Sequence, residues 1–181
     1  MFHILDKYLS NHVTTIKKLS FQKKAAFGLS LIYRQKGTIE IFDKDNKNKI
    51  YPSFLELINT GKKIILEGTS TSDTKKVKII HLSYIEDNFS DPFDQTGQLA
   101  QTIFIGLLHF FDFCSTKNDD DMLKSINQYI NNVHLVAYTD NEDYDYSVVF
   151  GKESLLFAEI IDLINKHKVE TSSGLNLSRP R

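Results

Sequence analysis

Residues 99–114 constrain the fold most, because this stretch is apolar on nearly every side of a helical projection. A helix without a polar face must be covered by neighbouring elements, so the pattern predicts a central helix surrounded by others. The stretch is short for a membrane span, and Gly106, His109 and Asp112 interrupt it. We therefore expect a buried helix of a soluble protein.

The numbers of turn-forming residues point in the same direction. Only 8 Gly and 3 Pro occur in 181 residues, which is too few for an all-β sandwich with its many turns. We predict an all-α fold, a compact bundle of six to seven helices around residues 99–114. Residues 1–170 are expected to form a single helical domain, and residues 171–181 a polar C-terminal tail.

Apolar residues recur at helical spacing in five further segments. Ser20 is a predicted N-cap, as is Asn118 or Asp119, and Pro52 fits the first turn of a helix that Gly61 is expected to weaken or end. The inner stripes include Leu9, Val13 and Ile16; Ala25, Leu29 and Ile32; Leu55 and Ile58; Met122, Ile126, Tyr129, Ile130, Val133 and Ala137; and Leu156, Phe157, Ile160, Ile161 and Ile164.

Two segments are ambiguous. Residues 37–49 are predicted to be a polar connection, in which the alternation around Ile39 and Ile41 could form a short strand without an obvious partner. Residues 77–85 fit a helix, which we favour, but their apolar positions also alternate as in a strand.

Charge is segregated along the chain although the net charge is only −1. Residues 1–85 contain 15 basic and 7 acidic side chains, whereas residues 86–145 contain 2 basic and 12 acidic ones. Such asymmetry can let two halves of a domain attract each other, or it can steer a charged partner.

Two acidic clusters form the candidate partner-binding site. One follows a predicted N-cap, where carboxylates complement the helix dipole. The other lies in the segment TDNEDYDY, residues 139–146, which combines carboxylates with tyrosines and lacks a simple capping explanation. About twenty residues of helix, or roughly 30 Å, separate the two. The candidate residues are Asp140, Glu142, Asp143, Tyr144, Asp145 and Tyr146, with Asp119, Asp120 and Asp121 as the earlier cluster.

Catalytic motifs are absent from the sequence. No G-x-S-x-G elbow, Walker glycine loop or metal-binding Cys pair occurs, and we predict no cofactor and no metal. Cys114 lies in the apolar stretch and is expected to be an unreactive buried thiol. The enzymatic alternative is a metal site formed by His109, Asp112 and His134.

A nucleic-acid-associated protein is a second alternative, because lysines crowd the N-terminal half and could contact phosphates. These are Lys17, Lys18, Lys23, Lys24, Lys62, Lys63, Lys75, Lys76 and Lys78. No recognition motif accompanies them, and the chain as a whole is slightly acidic.

Three short patterns resemble the YjaG-like bacterial family, a domain of unknown function. They are Leu19, Gln22, Ala25, Ala26 and Phe27; the turn Asp91, Pro92, Phe93 and Asp94; and the tail at residues 173–176. The resemblance implies a compact all-α fold and supplies no catalytic residues.

The absence of catalytic motifs and the presence of an acidic, tyrosine-containing segment together favour an inhibitor over an enzyme. We expect a non-enzymatic immunity protein that binds and neutralises a cognate bacterial toxin. Nuclease toxins grip phosphates with basic clefts, so a basic toxin domain is the expected partner. The single cysteine and the lack of a recognisable secretory leader or membrane segment predict a cytoplasmic location.

Overall fold

The computed structural model describes Lys7 and residues 9–46, 50–67, 95–141 and 143–166. Over these ranges the chain forms seven helices and no strand, which confirms the all-α prediction. The expectations for residues 77–85, for the turn at residues 91–94, for the tail and for Glu142 lie outside the described residues. The helices are α1 Ser10–Lys17, α2 Phe21–Arg34, α3 Lys36–Asn46, α4 Ile50–Glu67, α5 Gln95–Thr116, α6 Asp119–Asp140 and α7 Tyr146–Lys166.

The predicted central helix is α5. Its inner side chains, including Phe104, Leu107, Phe110 and Phe111, are fully buried among the neighbouring helices. At 22 residues α5 is longer than predicted, and by length and composition it could cross a membrane. Half of its apolar window is buried inside the fold, and core helices of soluble proteins can have the same length and composition.

Helices α5 and α6 form an antiparallel hairpin. Lys117 turns the chain in the left-handed region, with a φ of 57°, and its amide donates to the Phe113 carbonyl over 2.7 Å. The hydroxyl of Ser125 donates to the Gly106 carbonyl at 2.8 Å, so the two backbones lie close together. The hairpin therefore sets the two ends of α6 far apart, one at each end of α5.

The prediction of a polar connection with a possible strand around Ile39 and Ile41 was wrong, because this segment forms α3. Ile39 and Phe42 are both buried, three residues apart on one helical face, whereas Ile41 is 55% exposed. The carboxylate of Asp43 accepts from the amides of Ile50 at 2.9 Å and Tyr51 at 2.8 Å. One polar residue of α3, Asp43, therefore caps the N-terminus of α4.

Gly61 does not end α4, which continues to Glu67. A Cβ at Gly61 would lie 3.0 Å from side-chain atoms of Leu29 and Phe110, so glycine here permits close packing of α4 against α2 and α5. Ser20 occupies the N-cap position of α2 as predicted, but its side chain makes no capping hydrogen bond.

Helix α7 packs against α1 and α2, and it contacts α6 through the side chain of Tyr129. The ring of Phe157 meets Phe27 edge-on, with centroids 5.1 Å apart. The hydroxyl of Tyr129 donates to Glu153 Oε2 at 2.7 Å, and burial raises the pKa of Glu153 despite this hydrogen bond. These contacts fix α7, and so position the turn that precedes it.

Candidate functional site

The loop within the acidic segment, residues 139–146, is shorter than the sequence indicates. Asp140 is the last residue of α6 and Tyr146 the first of α7, so only residues 141–145 connect the two helices. Asp140, Asp143, Asp145 and Tyr146 are exposed, and Tyr144 is half-buried.

Backbone hydrogen bonds hold this connection in shape. The side-chain Oδ1 of Asn141 accepts a hydrogen bond from the amide of Asp143 at 3.1 Å. The backbone carbonyl of Asn141 accepts one from the amide of Tyr144, also at 3.1 Å. Asp145 caps α7, because its carboxylate accepts from the amide and the hydroxyl of Ser147, both at 2.7 Å. These hydrogen bonds lower the pKa of Asp145. The structure thus supplies the capping role that the sequence did not suggest for this cluster.

An aromatic cluster lies against the connection. Tyr144 and Tyr146 stack with ring centroids 4.5 Å apart, and His134 lies 5.8 Å and 5.6 Å from them. His134 Nδ1 is 2.5 Å from the Tyr144 hydroxyl, while Tyr138 lies 6.1 Å from the imidazole. The ring of Tyr146 is 6.1 Å from fully buried Phe150. The cluster is therefore anchored to the hydrophobic core.

Large apolar groups remain exposed beside these carboxylates. Val136 and Tyr138 are each 45% exposed and Tyr146 is 38% exposed. We call Val136, Tyr138, Asp140, Asp143 and Tyr146 the acidic aromatic surface. Exposed rings and carboxylates at this end of α6 suit the binding of a cationic protein, since the rings supply contact area and the acids supply attraction.

The earlier acidic cluster is used differently. Asn118 caps α6 by accepting from the amide of Asp120 at 3.1 Å, as predicted. Asp119 accepts two hydrogen bonds from the ammonium of Lys24 at 2.7 Å and 2.9 Å. Asp121 forms an ion pair with Lys124 at 3.0 Å, so most of this charge is compensated within the fold.

The predicted trio of His109, Asp112 and His134 is not assembled. His134 belongs to the tyrosine cluster at the end of α6, whereas the charge of His109 acts on Asp121 at its start. Within the described residues, no three His, Cys, Asp or Glu side chains converge as a metal site. This arrangement removes the geometric basis of the enzymatic alternative.

Several of the N-terminal lysines contact other side chains of the fold. Besides the pair of Lys24 with Asp119, Lys23 donates to Asn165 at 2.9 Å. The ammonium of Lys62 lies 5.5 Å from the centre of the Tyr33 ring. Lys75, Lys76 and Lys78 lie outside the described residues. Three of the six predicted lysines that the structure describes, Lys23, Lys24 and Lys62, therefore already contact other side chains of the fold.

Cys114 is buried in the centre of the bundle, and burial raises the pKa of its thiol to about 12. A thiol with such a pKa stays protonated at neutral pH and is a poor nucleophile. This agrees with the expectation of an unreactive side chain.

Sequence reasoning missed Tyr138 and His134 in the aromatic cluster and Val136 in the acidic aromatic surface. Val136 and Tyr138 were not candidates, and His134 was assigned to a metal site. The signal was present in the spacing, because His134 and Tyr138 are four residues apart and share a helical face. Their meeting with Tyr144 and Tyr146 depends on the turn between the helices.

No family model, curated protein or solved structure significantly matches this chain. The resemblance to the YjaG-like family therefore stays a prediction, and the functional argument depends on the site itself.

Proposed function

We propose that this chain is a non-enzymatic cytoplasmic protein that binds a basic protein partner through the acidic aromatic surface. The observation that carries the proposal is the position of Asp140. It ends α6, where the helix dipole is negative and a carboxylate costs stability. An unfavourable, exposed charge that lies in the same segment as the exposed side chains of Tyr138 and Tyr146 is better explained by binding than by folding.

The shape of the surface favours tight binding. Tyrosine offers a large contact area with few rotatable bonds, and the stack of Tyr144 on Tyr146 already restricts their motion. Asn141 accepts hydrogen bonds from the amides of Asp143 and Tyr144, which restrain these two residues further. Binding to such a surface loses less entropy than binding to a loose acidic loop.

The most specific form of this proposal is an immunity protein that neutralises a bacterial toxin. A nuclease needs a basic cleft for phosphates, and exposed carboxylates at Asp140 and Asp143 would attract such a cleft and cover it. Inhibition then requires no chemistry, only a stable complex that excludes nucleic acid.

Affinity capture with surface variants tests the binding site. The immobilised chain, its Y138A/D140N/Y146A variant and a D120N control are exposed to a lysate of the producing cells, and the retained proteins are quantified by mass spectrometry. Truncating one tyrosine at a binding hot spot costs about 2 kcal/mol or more, roughly 30-fold in affinity. We expect a basic protein that wild type and D120N retain and the triple variant loses.

Expression of the captured protein tests the immunity function. We expect it to stop growth alone and to be harmless when co-expressed with this chain. Equal capture by all three variants would contradict the binding surface. A partner lost by the triple variant but harmless to cells would contradict the immunity function while the surface stands.

A further inference from the structure

The outer face of α7 carries large apolar side chains that the fold leaves uncovered. Val148, Leu155 and Leu163 are 53%, 69% and 52% exposed. On a helical projection Leu155 points directly away from the buried stripe. That stripe consists of Phe150, Phe157, Ile160, Ile161 and Ile164. Val148 and Leu155 are seven residues apart and lie about 20° from each other around the helix, so they share one face.

The spacing along this face is that of a helix–helix seam. Val148, Gly151, Leu155 and Ala158 follow one another at intervals of three, four and three residues, the pattern by which one helix packs along another. A Cβ at Gly151 would meet nothing within 4 Å. With glycine and alanine between the larger side chains, a second helix can approach closely.

The charges beside the seam are complementary to those of a second copy of α7 that runs antiparallel to the first. Lys152 and Glu159 are seven residues apart, about 10 Å along the axis, which is too far for an ion pair within α7. Neither has an opposite charge three or four positions away, in contrast to Asp162, which pairs with Lys166 at 2.5 Å. Both lie equally far from the point between residues 155 and 156. In an antiparallel copy rotated about that point, each lysine faces the glutamate of the other chain.

We propose that the outer face of α7 is a self-association surface on which two copies of this chain pair antiparallel. Two Lys152–Glu159 pairs flank the central contact, in which Leu155 of each copy packs against the other chain. Helix α7 is about 30 Å long, so the contact falls among small interfaces below about 1,200 Å². The dimer is accordingly weak, with a Kd of about micromolar or higher. This surface is separate from the acidic aromatic surface.

Sedimentation of the purified chain from about 10 to 500 μM at low ionic strength spans the expected Kd and tests the dimer. The wild type should pass from monomer to dimer over this range. K152E and E159K should each raise the Kd at least about tenfold, because like charges then face each other twice. An equimolar mixture of the two variants should restore the dimer, since each substituted side chain then faces an opposite charge on the other copy.

Two further variants complete the design. L155D should abolish the dimer with an unchanged circular dichroism spectrum and melting temperature, because Leu155 makes little contact with its own chain. K44E, a charge reversal at an exposed lysine of α3, should leave the dimer intact. A wild type that stays monomeric throughout, dimers unaffected by L155D, or a mixture of K152E and E159K that stays monomeric would each overturn the proposal.

Discussion

The two ends of α6 carry similar groups of carboxylates, and the fold uses them in opposite ways. At the start, Asp119 and Asp121 form ion pairs with Lys24 and Lys124. At the end, Asp140 is exposed and makes no ion pair within the described part of the chain. The first cluster is compensated inside the molecule, while the second remains available to a partner.

The difference follows from the direction of the helix. Carboxylates at an N-terminus meet unpaired amides and the positive end of the dipole, so they stabilise the helix. At a C-terminus the same groups meet unpaired carbonyls and destabilise it. An acidic run is therefore informative about function only after its helix end is known. Four sets of substitutions test this comparison.

The largest effect on stability is expected for D119N. The side chain of Lys24 is only 13% exposed, so it would lose its counter-charge while remaining largely desolvated. We expect a loss of about 2 kcal/mol in the free energy of unfolding, measured by urea denaturation. D120N, in the same turn but exposed, should cost less than about 0.5 kcal/mol. Equal losses would show that the Lys24 pair contributes nothing particular.

Two asparagines allow a matched comparison of the turns. N118A removes the cap of α6 and should cost about 1 kcal/mol. N141A removes the hydrogen bond to the amide of Asp143 in an exposed turn, and should cost about 0.3 kcal/mol. Thermal denaturation of both variants measures the difference. A larger loss of stability for N141A than for N118A would contradict the comparison, because the fold would then depend more on the end of α6 than on its start.

D140N should stabilise the protein, by about 0.5 kcal/mol, because it removes a negative charge from the C-terminal end of α6. The same variant should bind the captured partner less tightly. D140E, which keeps the charge, should change neither quantity much. Urea denaturation at low and high salt checks the cause, since an electrostatic gain shrinks when salt screens it. A loss of stability in D140N would contradict the dipole argument.

The smallest effects are expected in the pH dependence. Partial burial raises the pKa of Asp121, but hydrogen bonds from Lys124 and Thr116 outweigh this effect, so the net shift of its pKa is downward. Hydrogen bonds from Ser147 lower the pKa of Asp145. A lowered folded-state pKa gives stability that is present above the unfolded value of 3.8 and is lost as the pH falls through the folded value.

D121N and D145N should therefore differ from wild type most at neutral pH and converge with it in acid. For D121N the difference is a few tenths of a kcal/mol, because the partner Lys124 is 47% exposed and water can solvate its charge when the pair is lost. High salt should shrink the D121N effect but not the D145N effect, because Asp145 is bonded to a neutral serine. Identical salt responses would contradict this distinction between the two ends.

The surface pattern was partly readable before the fold was known. The sequence singled out Asp140, Tyr144 and Tyr146, because carboxylates and tyrosines occur together there. It did not join them to His134 and Tyr138, which lie in the preceding helix. The turn at residues 141–145 brings these rings together, and its geometry comes from hydrogen bonds that composition does not encode.

Local chemistry was sufficient for the features that depend on neighbours in the chain. The apolar run of α5, the inner stripe of α6 and the Asn118 cap could all be predicted, because helical periodicity and capping act over a few residues. Helix α3 could not, since the spacing of Ile39 and Phe42 is too short a pattern to exclude a strand.

Only the tertiary structure decided which charged side chains are paired within the fold. Lys24 and Asp119 are 95 positions apart in the chain, and no local rule pairs them. Burial of one helix face determines which charges meet across helices and which remain in water. The sequence determined by itself that this chain is a helical bundle with acidic ends on α6. Packing decided that one end is neutralised and the other exposed, because electrostatic compensation depends on distance in space.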